Sequence, residues 1–407
     1  MNILYIAMGC APDSGSEDKI GWSIPIECAK TNNVYVITME KFRTAIEASL
    51  VKTGLENIHF YYVDIPEIYK KLFKGFLFSG RIGPWNRRAL LVAREICAKN
   101  DIQIIHQITP VEFRGIGSYG RIPNVKFVCG PVGGAQVTPR GLRVYSQRNR
   151  YIEQIRSLAN AWYKIWLRMS GRLSNCDMLL FANCETKEYL GNQIPLSRMG
   201  DVCTEIGLSL EELGDICYTR NAKRCFLVVG RLVYLKGHTF LLDALRGIPD
   251  EMEYECLVVG DGAEYNRLKK CVIDEPKLLE KVRFIGKVPY NQIDCYYRES
   301  DVLIMPSIRE TTGTVILEAM SKGLPVITIN KFGGATILDS TMGWLYEGNT
   351  KEEYICNLRN AIIECIQNPE EVKRRGQNAR IRAEDFTWEK KVAHYQKIYD
   401  SLIADEG

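Results

Sequence analysis

Glu310 and Glu318 lie with seven residues between them, on either side of Thr312-Gly313-Thr314, where an apolar run, Val302-Leu303-Ile304-Met305-Pro306, gives way to a helical one. A helix start gathers unpaired backbone N–H groups and the positive end of the helix dipole, which makes it a ready anion site. The amides of Thr312, Gly313 and Thr314 are therefore expected to meet a phosphate. Glu318, near the second turn, can accept two ribose hydroxyls, and Glu310 in the loop can hold hydroxyls of a further polyol. A second anion clamp lies upstream. The run Phe226-Leu227-Val228-Val229 leads into Gly230-Arg231-Leu232 and then Lys236-Gly237. An arginine and a lysine just beyond a strand end can neutralise a diphosphate without a metal. The simplest ligand with two phosphates, a ribose and a further polyol is a nucleotide sugar. Taken singly, the cations read as a surface ion pair, Glu310 as a favourable charge at a helix start and Glu318 as an ordinary helical glutamate; their joint spacing around Gly313 favours the ligand.

Three other groups follow strand-like runs. Gly333-Gly334 comes after Val326-Ile327-Thr328-Ile329, and His106 after Ile104-Ile105. A lone histidine there is as often a structural hydrogen bonder as a catalyst. Gly130-Pro131-Val132-Gly133-Gly134 follows Val125 to Cys129, and its glycines permit close approach of a substrate to the backbone or simply a tight turn. The loop Gly9 to Glu17 precedes a helix with Gly21-Trp22 but lacks the Gly-x-Gly-x-x-Gly spacing, so a nicotinamide fingerprint is not supported.

These groups need a scaffold that presents strand ends. Strand-like runs at 34–38, 58–63, 102–105, 125–129 and 178–182 alternate with helix-length segments such as 21–30 and 88–100. The rhythm restarts at Cys225 and continues through 255–259, 282–285, 302–305 and 326–329. Alternation of this kind predicts parallel sheets with helices on both faces, and ligands bind beyond the C-terminal strand ends. With 407 residues the chain fits two such domains.

The Gly-Arg-Leu…Lys-Gly element, Gly260-Asp261-Gly262, Phe284-Ile285-Gly286, Glu310…Glu318-Ala319-Met320 and Gly323-Leu324-Pro325-Val326-Ile327 together resemble the retaining glycosyltransferases of family four. The resemblance is densest from Phe226 to Gly348. It implies an α/β GT-B fold, two doubly wound Rossmann-like domains facing across a cleft, divided as 1–205 for the acceptor and 206–387 for the nucleotide sugar, with a helix at about 388–407 returning to the first. It implies transfer with retention, a catalytic set of Arg231, Lys236, Glu310 and His106, and donor contacts from Glu318, Thr312, Gly313, Thr314, Gly230, Val288, Gly333 and Gly334. Gly15-Ser16-Glu17 with Gly21-Trp22 is similar to the family's loop facing the phosphates and acceptor, which makes Gly15 and Ser16 donor-side, and Glu17, Gly133 and Gly134 acceptor-side. Thr312 stands where an aromatic residue is common in the family. No Asp-x-Asp motif occurs, so neither metal nor other cofactor is expected.

Composition limits the setting. The chain opens on Ile3-Leu4-Tyr5-Ile6-Ala7-Met8 without a basic leader, and no apolar run approaches the roughly 20 residues needed to span a bilayer. The fourteen cysteines are scattered singly, which fits reduced thiols in the cytoplasm. Residues 1–200 carry 26 Lys+Arg against 16 Asp+Glu, and the remainder 27 against 33. The excess includes Lys70, Lys71, Lys74, Arg81, Arg87 and Arg88 among Phe73, Phe76, Leu77, Phe78 and Trp85, a composition suited to an anionic inner leaflet or to an ordinary solvated surface. No base-reading module accompanies it, so nucleic acid is not an expected partner. The expected partners are a nucleotide-sugar donor and a saccharide or lipid-linked acceptor, in cell-surface polysaccharide synthesis. The alternatives are a sugar-nucleotide epimerase, a phosphorylase, or a non-catalytic nucleotide-sugar-binding partner of a synthase.

Overall fold

A computed structural model describes residues 1–12, 14–15, 17–73, 80–145, 147–214 and 223–404. The first sheet comprises β1 (Asn2–Ala7), β2 (Asn33–Met39), β3 (Ile58–Val63), β4 (Ile104–Thr109), β5 (Lys126–Val132), β6 (Met178–Phe181) and β7 (Met199–Val202). Its strand order is β3-β2-β1-β4-β5-β6-β7, and every pairing is parallel. The second comprises β8 (Arg224–Val229), β9 (Tyr254–Val259), β10 (Val282–Gly286), β11 (Val302–Met305), β12 (Val326–Ile329) and β13 (Gly343–Tyr346). Its order, β10-β9-β8-β11-β12-β13, is also wholly parallel. Central strands read as continuous apolar runs because both faces are covered: Ile3, Leu4, Ile6, Ile104, Phe226, Leu227, Val302 and Leu303 are completely buried. Each such side chain contributes roughly 1.5–3 kcal/mol.

Both sheets reverse strand order once, between β1 and β4 and between β8 and β11. Loops leaving neighbouring strands at such a point diverge and leave a crevice for a ligand.

The chain divides into two compact units. One contains Met1–Ala135, Leu158–Gly207 and Trp388–Gly407; the other contains Gln136–Ser157 and Leu208–Thr387. A single boundary at 205 therefore misses one excursion, since residues 136–157 pack with the second unit. Leu142 is wholly buried in that unit's core, and the Tyr234 hydroxyl donates to its carbonyl at 2.8 Å. In the first unit, the helix Trp388–Ala404 buries Trp388, Val392, Tyr395 and Tyr399, and the Tyr399 and Tyr5 hydroxyls lie 3.2 Å apart. The described cysteines are all free. Among the described residues no helix is long and apolar enough to cross a membrane.

Candidate functional site

In the second unit, the loops after β8, β9 and β10 begin with glycines whose φ values are +150° at Gly230, +144° at Gly260 and +87° at Gly286. Gly230 N–H donates to Val259 O at 3.0 Å and Gly260 N–H to Gly286 O at 2.8 Å. A Cβ on Gly260 would sit 1.9 Å from the Gly230 carbonyl oxygen, so only glycine lets these strand ends lie edge to edge. Arg231 projects from this rim into solvent, and no hydrogen bond or ion pair engages its guanidinium among the described residues. Lys236 ends a short turn held by Gly237, at φ +68°, against the Pro306 carbonyl. Ile308 N–H donates to Leu235 O at 3.0 Å. Because β8 and β11 are paired neighbours, their loops meet. Lys236 Nζ forms an ion pair there with Glu310 Oε2, both side chains about four-fifths buried (22% and 18% exposed). His238, buried directly beyond, is held neutral with its pKa down to about 3, first by burial and then by the Lys236 charge.

The Glu310 loop is fixed from both sides by the 136–157 excursion. Arg309 forms an ion pair with buried Glu153, and Gln136 Nε2 donates to Thr311 Oγ1 at 2.8 Å. Gly313, at φ +90°, caps the helix Thr314–Ser321, and no side chain caps it. Thr312 is buried, its backbone pressed against Gly333: a Cβ there would come within 2.1 Å of Thr312 Cα and O. Gly333 therefore admits the loop, whereas Gly334 faces Thr328 of β12, and both are buried in Phe332–Ile337. On the outer side Glu318 Oε2 accepts from Tyr297 OH at 2.6 Å, and the Tyr290 hydroxyl lies 3.4 Å from both Glu318 Oε1 and Glu212 Oε1. Burial and then the Glu318 charge push both tyrosine pKa values up, so both stay protonated as donors. Val288, half-buried, precedes Tyr290 by two residues in the loop after β10. The structure thus gathers Gly230, Arg231, Lys236, Glu310, Thr312, Gly313, Thr314 and Glu318 around the switch point of the second sheet. Sequence reasoning missed Tyr290, Tyr297, Gln136 and Glu153. The tyrosines carry no motif of their own, and the other two come from a segment remote in the chain.

In the first unit, a cavity of about 340 Å³ opens beside the ends of β1, β2 and β4, lined in part by Gly9, Glu17, Asp18, Lys41, Glu112 and Arg114. Gly21 sits so close to Gly9 that a Cβ would fall 1.9 Å from the Gly9 carbonyl oxygen, and this brings the helix Glu17–Cys28 onto the loop. Glu17 Oε1 accepts from Val111 N–H at 2.5 Å; burial nevertheless raises the carboxyl's pKa against that bond. Burial also raises Asp18, with the Lys41 charge opposing it. Glu112 pairs with Arg114. Gly133 N–H donates to Val111 O at 2.8 Å, and Gly133 O accepts from Phe113 N–H at 2.9 Å. The glycine loop therefore shapes the cavity wall through residues 111–113, and Gly134, at φ +94°, lies against Glu112. Gly15 is half-buried beside the helix start, whereas Ser16 lies outside the described residues.

His106 does not join this cavity. It is completely buried, with Nδ1 2.6 Å from Tyr399 OH and Nε2 2.8 Å from Gly130 O. Tyr395 packs edge-on to its ring at 5.0 Å between centroids. Burial lowers its pKa to about 4, against the Gly130 bond that raises it. Both nitrogens bond internal partners, which ties β4 and β5 to the C-terminal helix. The basic run is also used locally. Lys70 Nζ contacts Asp64 at 2.7 Å and Glu67 at 2.8 Å, and Arg81 donates to the carbonyls of Phe73 and Lys70. Lys74, Phe76, Leu77 and Phe78 lie outside the described residues.

Comparison with known proteins bears mainly on the second unit. Residues 219–382 match the family described as "Glycosyl transferases group 1". An uncharacterized glycosyltransferase of Methanocaldococcus jannaschii is 29% identical over 189 residues, covering 46% of this chain and 51% of that protein. The chain spans about half the length of the curated relatives it matches. Whole-chain likeness exists at the level of fold. A glycosyltransferase from Rickettsia africae superposes with a TM-score of 0.69 at 18% identity, over 99% of this chain and 98% of that one. An Anabaena protein solved in complex with UDP gives 0.64 at 16% identity, over 99% and 100%. The two wholly parallel, helix-flanked sheets are thus those of GT-B structures.

Proposed function

We propose that this chain is a retaining glycosyltransferase of family four that moves a hexosyl group from a nucleoside-diphosphate sugar to an acceptor hydroxyl. The observation that carries the reading is the Lys236–Glu310 pair, formed where the loops after β8 and β11 meet, with the exposed Arg231 on the first loop and the tyrosine-held Glu318 on the helix after the second. Arg231 and Lys236 supply two positive charges for the diphosphate, and the N–H groups at Gly313 and Thr314 receive its distal phosphate. Glu318, oriented by Tyr297, accepts the ribose hydroxyls. When the donor enters, Lys236 turns part of its charge from Glu310 to phosphate, and Glu310 is released toward the sugar hydroxyls.

In the transfer step the anomeric carbon–oxygen bond to phosphate breaks and a bond from the acceptor oxygen forms on the same face. The acceptor proton passes to the departing phosphate oxygen. Stabilisation of that leaving group falls to Arg231 and Lys236, and no divalent ion is required. The first unit's cavity, with Glu17, Asp18 and Glu112 among its lining groups, suits an acceptor rich in hydroxyls. A lipid-linked saccharide at the cytoplasmic leaflet, in polysaccharide synthesis, fits the basic first half of the chain.

The test is turnover of a panel of nucleotide sugars, with and without chelator, by the native protein and by Lys236→Ala and Glu310→Gln variants. Transfer should survive chelation. Each substitution should lower kcat per folded molecule by roughly 10²–10³. Conversion of donor without any acceptor, or unaltered kinetics in both variants, defeats the reading.

A further inference from the structure

The helix Gln147–Met169 presents its apolar side to solvent. Tyr151, Ile155, Leu158, Trp162, Ile165 and Met169 are between 58% and 82% exposed. Their alternating spacing of four and three residues aligns them along one face, about 27 Å long at 1.5 Å per residue. The opposite face buries Glu153, Asn160 and Leu167. A surface helix ordinarily turns its apolar stripe inward; here the polarity is inverted, and packing among the described residues leaves this stripe uncovered. From Leu158 onward it belongs to the first unit.

The charges around the stripe identify what covers it. The helix carries Arg148, Arg150, Arg156, Lys164 and Arg168 but a single acid, Glu153. That acid is buried and paired with Arg309. Arg150 and Arg168 are exposed and fall along one border of the stripe by helical spacing. We propose that this face is a docking surface for an anionic lipid bilayer, lying in the interface with Trp162 and its neighbours among the acyl chains and the arginines among the headgroups. Self-pairing along the stripe is disfavoured, because two copies would bring cations to cations with no acid on the exposed side of either helix, whereas helix pairs of this spacing rely on opposite charges at their borders. The inference adds a location to the lipid-linked acceptor proposed above. Its test reads binding rather than transfer, so the two fail separately.

The full-length protein is floated with phosphatidylcholine vesicles and with vesicles containing phosphatidylglycerol, alongside a Leu158→Glu/Ile165→Glu double variant and an Arg150→Glu/Arg168→Glu double variant. The native protein should bind anionic vesicles at least tenfold more tightly than neutral ones, and each double variant should lose at least tenfold. Trp162 should become shielded from an aqueous quencher on binding, judged against Trp162→Phe. All these side chains are exposed, so unfolding temperatures should stay close to native, which excludes misfolding as the cause. Unchanged binding by the Leu158→Glu/Ile165→Glu variant overturns the proposal. So does a native dimer, seen in sedimentation, that this variant dissolves while the native protein ignores vesicles.

Discussion

At the scale of single residues, Glu318 differs from an ordinary helical glutamate in the hydroxyl donors around it. Tyr297 is buried and its hydroxyl donates a hydrogen bond to Glu318 Oε2 at 2.6 Å. Tyr297→Phe keeps the ring and removes that bond, so donor KM should rise roughly tenfold with kcat nearly unchanged, as loss of a bond to a charged group implies. Steady-state kinetics with varied donor check this. His106 makes the opposite case. Its folded pKa of about 4 lies below the ordinary value of 6.5, so the unfolded chain takes up the proton first as pH falls. Its stabilising contribution is full above about pH 6.5 and is lost as pH drops toward 4, amounting to roughly 2 kcal/mol by pH 5. Urea unfolding at pH 7 and pH 5 should show His106→Leu less stable at neutral pH but less sensitive to acid. Its kcat per folded molecule should stay within a few-fold of native; a hundredfold loss at native stability would favour the catalytic assignment.

At the scale of elements, glycines decide which loops can touch. Gly333→Ala places a methyl 2.1 Å from the Thr312 backbone, which cannot swing aside as a side chain would. Destabilisation of about 1–3 kcal/mol is expected from overpacking, with at least a tenfold drop in transfer as the Glu310 loop shifts; thermal unfolding and kcat measured on one preparation check both. The same elements explain what the chain disclosed before folding. Central strands such as β8 and β11 were legible because burial on both faces demands unbroken apolar runs. β4 was read as 102–105, but it runs on through His106 and Gln107 to Thr109, because buried hydrogen bonds to Gly130, Gly115 and Tyr399 satisfy those polar groups. The edge strands β7, Met-Gly-Asp-Val, and β13, Gly-Trp-Leu-Tyr, lack the unbroken run of aliphatic or β-branched residues that marks the equally short β11 and β12. Arg231, Lys236, Glu310 and Glu318 were legible through their spacing from strand ends. Tyr297 and Glu153 were not, since only tertiary folding brings them near.

At the scale of the molecule, each unit is assembled from separated stretches of chain, so sequence neighbours need not share a fate. Lys391 Nζ is buried and donates to Thr204 O, and Trp388 packs against Gly207. Ending the chain at Thr387 should therefore damage the first unit rather than the second, which it directly follows. Hydrogen exchange should show amides of β1 and β4 losing protection while those of β8 and β11 keep theirs; uniform loss would mean that the units do not fold independently. The return of Trp388–Ala404 to the first unit also bears on biosynthesis. A ribosome releases the strands of that unit long before the helix that closes over Tyr5 and His106, and residues 208–387 of the second unit are translated in between. During that interval the nascent N-terminal sheet carries an uncovered apolar patch, so holdase chaperones should engage it there, and slowing elongation after Thr387 should prolong the association.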